Sequence, residues 1–255
     1  MQRTGFNIDV NSLAQLNNMD SALPVGIRIA EVEGDKKISR FGINIFNSES
    51  INLIKTKLVN RIHIHFGEKT LGFINKLESI LCVLKSAHIL QQLHEINLGG
   101  GFMKLAGQGN LEMFFSLLFD LYKRYGVDTN IVATIIEPGR GLVSFSGILI
   151  ADVEDMDTED GVQLITLNAS CFKIGVWFPP KILTYTHKET SMITTSIFGN
   201  TCFEDDVFCK NQEMYKLSSN SSFVLFPVGA YTQSNHTNLH TNFFYKESIL
   251  QFLED

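Results

Sequence analysis

The feature that most constrains this chain is a rhythm that stops. Up to about residue 140, short β-rich apolar runs recur with centres roughly 35 residues apart, the length of one strand, one helix and their loops. The runs are Pro24–Ala30, Arg61–Gly67, Glu95–Gly101 and Ile131–Pro138, and Phe6–Val10 reads as one more. Between them the apolar spacing turns helical. In Thr70–Leu90, Phe73, Leu77, Ile80, Leu81 and Leu84 share a face. In Leu111–Tyr125, Phe114, Phe115, Leu118, Phe119 and Tyr122 do the same, and Gly126 suits the stop. A shorter helix is expected at Ser12–Met19. Strands alternating with helices imply a parallel sheet built from some five βα units.

After Arg140 the helical spacing disappears. Gly141–Val153, Val162–Ala169 and Ser222–Ala230 are β-branched and aromatic, with turn-forming residues at Asp155–Gly161 and Ser218–Ser222. The late helix signal is Lys246–Leu253. The expected architecture is α/β plus β: a partial parallel (β/α) barrel over 1–140, then an antiparallel β domain over 141–255. With 44% apolar residues the chain can bury real cores, which excludes wholesale disorder. Its net charge of −6 gives no general attraction to nucleic acid. No apolar run is long enough to span a membrane, and the first residues hold no apolar signal region. Four scattered cysteines suit reduced thiols, hence a cytoplasmic setting.

Three segments at predicted strand ends carry chemistry, where βα barrels place their catalytic groups. In Ile62-His63-Ile64-His65-Phe66-Gly67, alternation puts both histidines on one side of the strand. They read as inward polar residues or as metal ligands, and the spacing offers no third ligand, so no metal is expected. In Asn97-Leu98-Gly99-Gly100-Gly101-Phe102, three glycines let main-chain N–H groups approach an anion, or form a flexible loop. In Glu137-Pro138-Gly139-Arg140, the carboxylate could pair with a cationic ring nitrogen, and the arginine and glycine could hold an anion. The alternative is a surface turn with a local ion pair. In the second half, Gly199-Asn200-Thr201-Cys202-Phe203-Glu204-Asp205-Asp206 sets a thiol among acids, and Gly229-Ala230-Tyr231-Thr232 follows an apolar strand.

Taken in order, these segments resemble the fold type III pyridoxal-phosphate decarboxylases, the ornithine, diaminopimelate and arginine decarboxylase group. Gly26-Ile27-Arg28-Ile29 and Ser39-Arg40-Phe41-Gly42 are similar to further segments of that family. The resemblance runs from about Phe6 to Phe244. It implies pyridoxal 5'-phosphate as cofactor, with His65 on the face of its ring and Glu137 at its pyridine nitrogen. It implies that Gly99, Gly100, Gly101, Gly139, Arg140 and Tyr231 hold the phosphate. Cys202, supplied by the partner subunit of a dimer, would be the acid that protonates the intermediate. Arg28 and Glu204 would face an amino-acid substrate that is basic or carries two amino groups.

Three departures from the family carry expectations. No Ala-x-Lys-Ala/Cys segment is present, so the cofactor-binding lysine and about three front βα units, on the order of 90–100 residues, are expected to be missing. Lys69 is the nearest candidate amine, and is expected to be solvated at a helix start. Glu68 stands where the family has serine after His-Val-Gly, and Phe203 where it has an acid after the catalytic cysteine. The implied function is therefore the C-terminal portion of a decarboxylase, inactive alone and needing a partner that supplies the lysine. The alternatives are a catalytically dead binding or regulatory homologue and, less well matched, a racemase.

Overall fold

A computed structural model describes residues 9–33, 36–174, 179–232, 246 and 248. The chain forms two compact units, Met1–Gly141 and Leu142–Asp255.

In the first unit, chain order runs β1 (Asp9–Val10), α1 (Leu13–Asn17), β2 (Val25–Arg28), β3 (Val32–Glu33), β4 (Lys36–Lys37), α2 (Ser48–Lys55) and β5 (Val59–His63). It continues through α3 (Phe73–Ser86), β6 (Glu95–Asn97), α4 (Met103–Gly107), α5 (Leu111–Tyr125) and β7 (Ala133–Ile135). Five strands pair in the order β1-β2-β5-β6-β7, every neighbour parallel. Strands β3 and β4 form a separate small ribbon.

The register explains the two faces of this sheet. Ile27, Ile62 and Ile96 lie side by side, and all three are buried. The buried faces of α3 and α5 join them in one core, through Phe73, Leu77, Leu81, Phe114, Leu118 and Tyr122. Burying each such side chain contributes roughly 1.5–3 kcal/mol. Tyr122 keeps its hydroxyl within reach of Thr134 on β7, and burial pushes that phenol up to about 12. Because side chains alternate along a strand, Gly26, Arg61 and Glu95 point to the opposite face. The next row on that face is Arg28, His63, Asn97 and Ile135, at the C-terminal strand ends. Helix α5 ends as its sequence suggests, with Gly126 in the left-handed conformation (φ 75°).

In the second unit, α6 (Arg140–Val143), which bridges the division, and a 3-10 turn (Ser144–Ser146) precede the strands. These are β8 (Leu149–Glu159), β9 (Val162–Leu167), then α7 (Cys171–Ile174), β10 (Lys181–Tyr185), β11 (Met192–Phe198), β12 (Val207–Tyr215) and β13 (Ser222–Phe226). The sheet order is β10-β13-β8-β9-β11-β12. Ile165, Leu167, Ile197, Phe223 and Leu225 form its core. Buried Gln163 exchanges two hydrogen bonds with the main chain of Leu217 (3.0 and 3.1 Å), so its amide is satisfied.

Several expectations are corrected here. The segment from Gly141 begins as helix, and its strand starts at Leu149. Asp155–Glu159 belongs to β8, and the turn is Asp160-Gly161, both with positive φ (50° and 80°). The sheet is not wholly antiparallel: β9 and β11 pair in parallel, which the long connection through α7 and β10 permits. The helix expected at Lys246–Leu253 falls outside the described residues apart from Lys246 and Ser248, as does most of Phe6–Val10.

Candidate active site

The parallel strand ends build the site row by row. Arg28, His63 and Asn97 are register partners. Two residues beyond His63, Asn97 and its register partner Ile135, on the same face, stand His65, Gly99 and Glu137. Main-chain pairing continues past the strands, since Ile64 donates to Asn97 O (2.7 Å), Leu98 to Ile135 O (2.8 Å) and Glu137 to Gly99 O (2.8 Å).

Asn97 organises this rim. Its Oδ1 accepts the Gly99 N–H (2.8 Å), and its Nδ2 donates to Glu137 Oε1 (2.8 Å). Glu137 Oε2 lies 3.8 Å from His63 Nε2, a buried nitrogen with no hydrogen-bond partner. The half-exposed carboxylate is thus held by one oxygen and presents the other. The His65 ring sits edge-on to His63 at 6.0 Å, and its Nδ1 accepts the Gly100 N–H (3.1 Å). Desolvation lowers the basicity of both imidazoles, and nearby Arg28 and Lys69 add to it, against the pull of Glu137. Both rings are therefore weaker bases than a free imidazole. Desolvation also lowers the basicity of Arg28, opposed by Glu137, and its guanidinium packs 4.9 Å over Phe41.

The glycines are there for close approach. A Cβ on Gly99 would lie 2.6 Å from His65 Nδ1, and one on Gly101 would lie 2.0 Å from Gly67 O. Both have positive φ (66° and 85°), which side chains resist. The turn after β5 is therefore laid directly on the glycine loop.

Lys69 fastens that contact, contrary to the expectation of a solvated side chain. Its N–H donates to Gly101 O (2.6 Å), and its Nζ donates to Gly100 O (3.0 Å) from a fully buried position between the rings of Phe73 and Phe102. Burial pushes the amine down to about 8, although Glu31, Glu68 and Glu137 oppose the shift. Unfolding returns it toward 10.5. Between those values the unfolded chain binds the proton that the folded chain has released, so stability should rise with pH. Relative to Lys69→Met, the wild type is expected to gain up to about 3 kcal/mol from pH 8 to 10.5, read by urea unfolding at each pH. A flat difference would contradict the burial.

Arg140 reaches the same turn. Its Nη2 is 2.7 Å from Glu68 Oε1, and Glu68 Oε2 accepts the Lys104 N–H (3.3 Å). Gly139 beside it has φ 47°. His63, His65 and Glu137 also bring one nitrogen or carboxylate oxygen each within 4.8 Å of the others.

The remaining predicted residues lie in the second unit. Its loop 199–206 is built around buried Asp206, which accepts from Cys171 N (2.8 Å), Thr201 N (3.2 Å) and Thr201 Oγ1 (2.7 Å). A Cβ on Gly199 would collide with that carboxylate at 2.2 Å. The glycine and the last acid of the motif therefore hold the loop, and Cys202 and Glu204 are exposed on it. Phe203 packs edge-on to Phe172 (5.5 Å). Tyr231 is half exposed with φ 62°, two residues after Gly229, whose Cβ would meet Val143 O at 2.0 Å. Asn97, His63, Glu68 and Lys69 are the participants that residue types alone did not assign. Asn97 at a strand end two residues before a glycine was the readable signal.

Comparison with solved structures defines the fold class. The crystal structure of diaminopimelate decarboxylase from Methanocaldococcus jannaschii matches with TM-score 0.70 at 22% identity, covering 90% of this chain and 60% of that one. The Paramecium bursaria Chlorella virus arginine decarboxylase gives TM-score 0.69 at 18% identity, covering 91% and 68%. The fold is that of the fold type III decarboxylases. In sequence, the chain is similar to the diaminopimelate decarboxylases of M. jannaschii (23% identical over 224 residues) and Aquifex aeolicus (25% over 219). Each match covers 79% of this chain and about half of the relative, 50% and 51%. No protein-family model matches. In sequence and in fold, the chain is similar to these decarboxylases.

Proposed function

We propose that this chain supplies the cofactor-holding rim and the β domain of a pyridoxal-phosphate-dependent decarboxylase for a basic or diamino acid. One observation carries the reading: Glu137, oriented by Asn97, shares a strand-end rim with a triple-glycine loop that has no room for side chains. On this reading the five parallel strands are part of a (β/α) barrel.

The residues fit the cofactor at most points. The glycine loop leaves a cradle that a Cβ would fill, and the Glu137 oxygen not engaged by Asn97 suits a protonated ring nitrogen. His65 offers an aromatic face. Arg140 with Gly139 suits a phosphate, but Glu68 stands on the guanidinium. When bound, pyridoxal phosphate supplies an electron sink for the carbon that loses carbon dioxide. Glu137 would hold a proton on the ring nitrogen. His65 and the glycine amides would fix ring and phosphate. Cys202, exposed on its loop, would donate a proton from the partner subunit of a dimer. Arg28 and Glu204 face the substrate. The setting is cytoplasmic; among the described residues no helix is long and apolar enough to cross a membrane.

The reaction also needs an amine held at the cofactor's aldehyde. Lys69 does not provide it, being buried against Gly100. The purified chain with pyridoxal phosphate is expected to release no carbon dioxide from ornithine, lysine, arginine or diaminopimelate. Adding a lysine-bearing N-terminal fragment of a related decarboxylase is expected to restore release. Turnover by the chain alone, with one lysine labelled on borohydride reduction, would overturn this assignment. The Glu68–Arg140 pair favours a second reading, a homologue that binds without catalysis.

A further inference from the structure

The poor fit at Arg140 is itself informative. Glu68 brings two carboxylate oxygens to two donors: Oε1 to the Arg140 guanidinium at 2.7 Å and Oε2 to the Lys104 amide at 3.3 Å. A guanidinium beside a main-chain N–H is what an incoming phosphate or carboxylate would use. The two residues lie 72 positions apart, so the fold creates this pairing. The donors border the glycine loop, because Lys104 follows Gly101 by three residues and Gly101 packs on Gly67, the neighbour of Glu68.

The backbone around Glu68 is fixed. Lys69 is bonded to the glycine loop through both its main chain and its side chain. The Glu68 side chain is 41% exposed, whereas that of Arg140 is 18% exposed. The carboxylate can therefore swing into water while its guanidinium partner stays in place.

We infer that the Glu68 carboxylate is a built-in occupant of the anion seat at Arg140 and Lys104, which a phosphate-bearing ligand must displace. The inference rests on the reading of Arg140 as phosphate anchor and goes beyond it, since Glu68 then sets how tightly that anchor binds. Two anions cannot share one guanidinium without repulsion, so an occupied seat weakens phosphate binding. Serine at this position would take that carboxylate away from the two donors.

The test is calorimetric titration of the full chain with inorganic phosphate and, separately, with pyridoxal phosphate. Wild type, Glu68→Ser, Glu68→Gln and the double variant Glu68→Ser with Arg140→Ala are compared, with thermal midpoints checking folding. Glu68→Ser is expected to bind both probes at least about tenfold more tightly than wild type. Glu68→Gln keeps the size without the charge and should fall between them. The double variant should lose the gain. Equal affinities for wild type and both single variants would overturn this inference and leave the cofactor reading intact. Absence of binding by any variant to either probe would overturn both.

Discussion

Gly101→Ala is expected to unfold the glycine loop from its neighbour and abolish binding of pyridoxal phosphate. The added Cβ would lie 2.0 Å from Gly67 O, and the backbone there has φ 85°. Strain of this kind costs about 1–3 kcal/mol, and relieving the overlap must break the Lys69–Gly101 main-chain hydrogen bond as well. A loss of about 3 kcal/mol or more is expected in urea unfolding. Gly107→Ala is the control, because a Cβ there meets nothing within 4 Å. If the two variants were equally stable, the close approach described here would be wrong.

Glu137→Ala is expected to have the largest effect on chemistry. The carboxylate is pre-oriented by Asn97, so a partner at the ring nitrogen costs no reorganisation when charge develops there. Removing one such positioned group typically lowers turnover roughly 100- to 1000-fold. In the fragment-complemented assay, carbon dioxide release should fall by about that factor, while Asn97→Ala, which frees the carboxylate without removing it, should fall less. Equal rates for wild type and Glu137→Ala would exclude a role at the reacting ring.

The sequence made the rhythm of the first unit legible because its strands pack apolar residues against amphipathic helices. Helix α5 matches its expected span, Leu111–Tyr125, since a long apolar face and a glycine stop both mark it. Helix α2 was missed: it has only eight residues, and its clearest signal, Asn47 capping Glu49 and Ser50, is a single polar side chain. Strands β10, β11 and β12 were missed. β10 and β12 are the two edges of their sheet and carry many exposed residues, and β11, though interior, has three polar residues (Thr194, Thr195, Ser196) in the middle of its apolar ones, so no apolar alternation announces them.

The site divides along similar lines. Alternation could put His63 and His65 on one side, and glycine chemistry could suggest a tight loop. The Asn97–Glu137, Lys69–Gly100 and Glu68–Arg140 contacts join segments 31 to 72 residues apart, and only the fold decides them. Lys69 shows the difference most plainly. A lysine beside a helix start reads as solvated, yet two aromatic rings and a glycine carbonyl enclose it.

The most direct test of the cofactor reading is a crystal structure of this chain grown with excess pyridoxal phosphate. The account predicts the phosphate against the Gly99–Gly101 loop and Arg140, with Glu68 swung away and the ring nitrogen at Glu137. A cofactor bound elsewhere, or a site that stays closed by Glu68 with no cofactor in saturating solution, would contradict it.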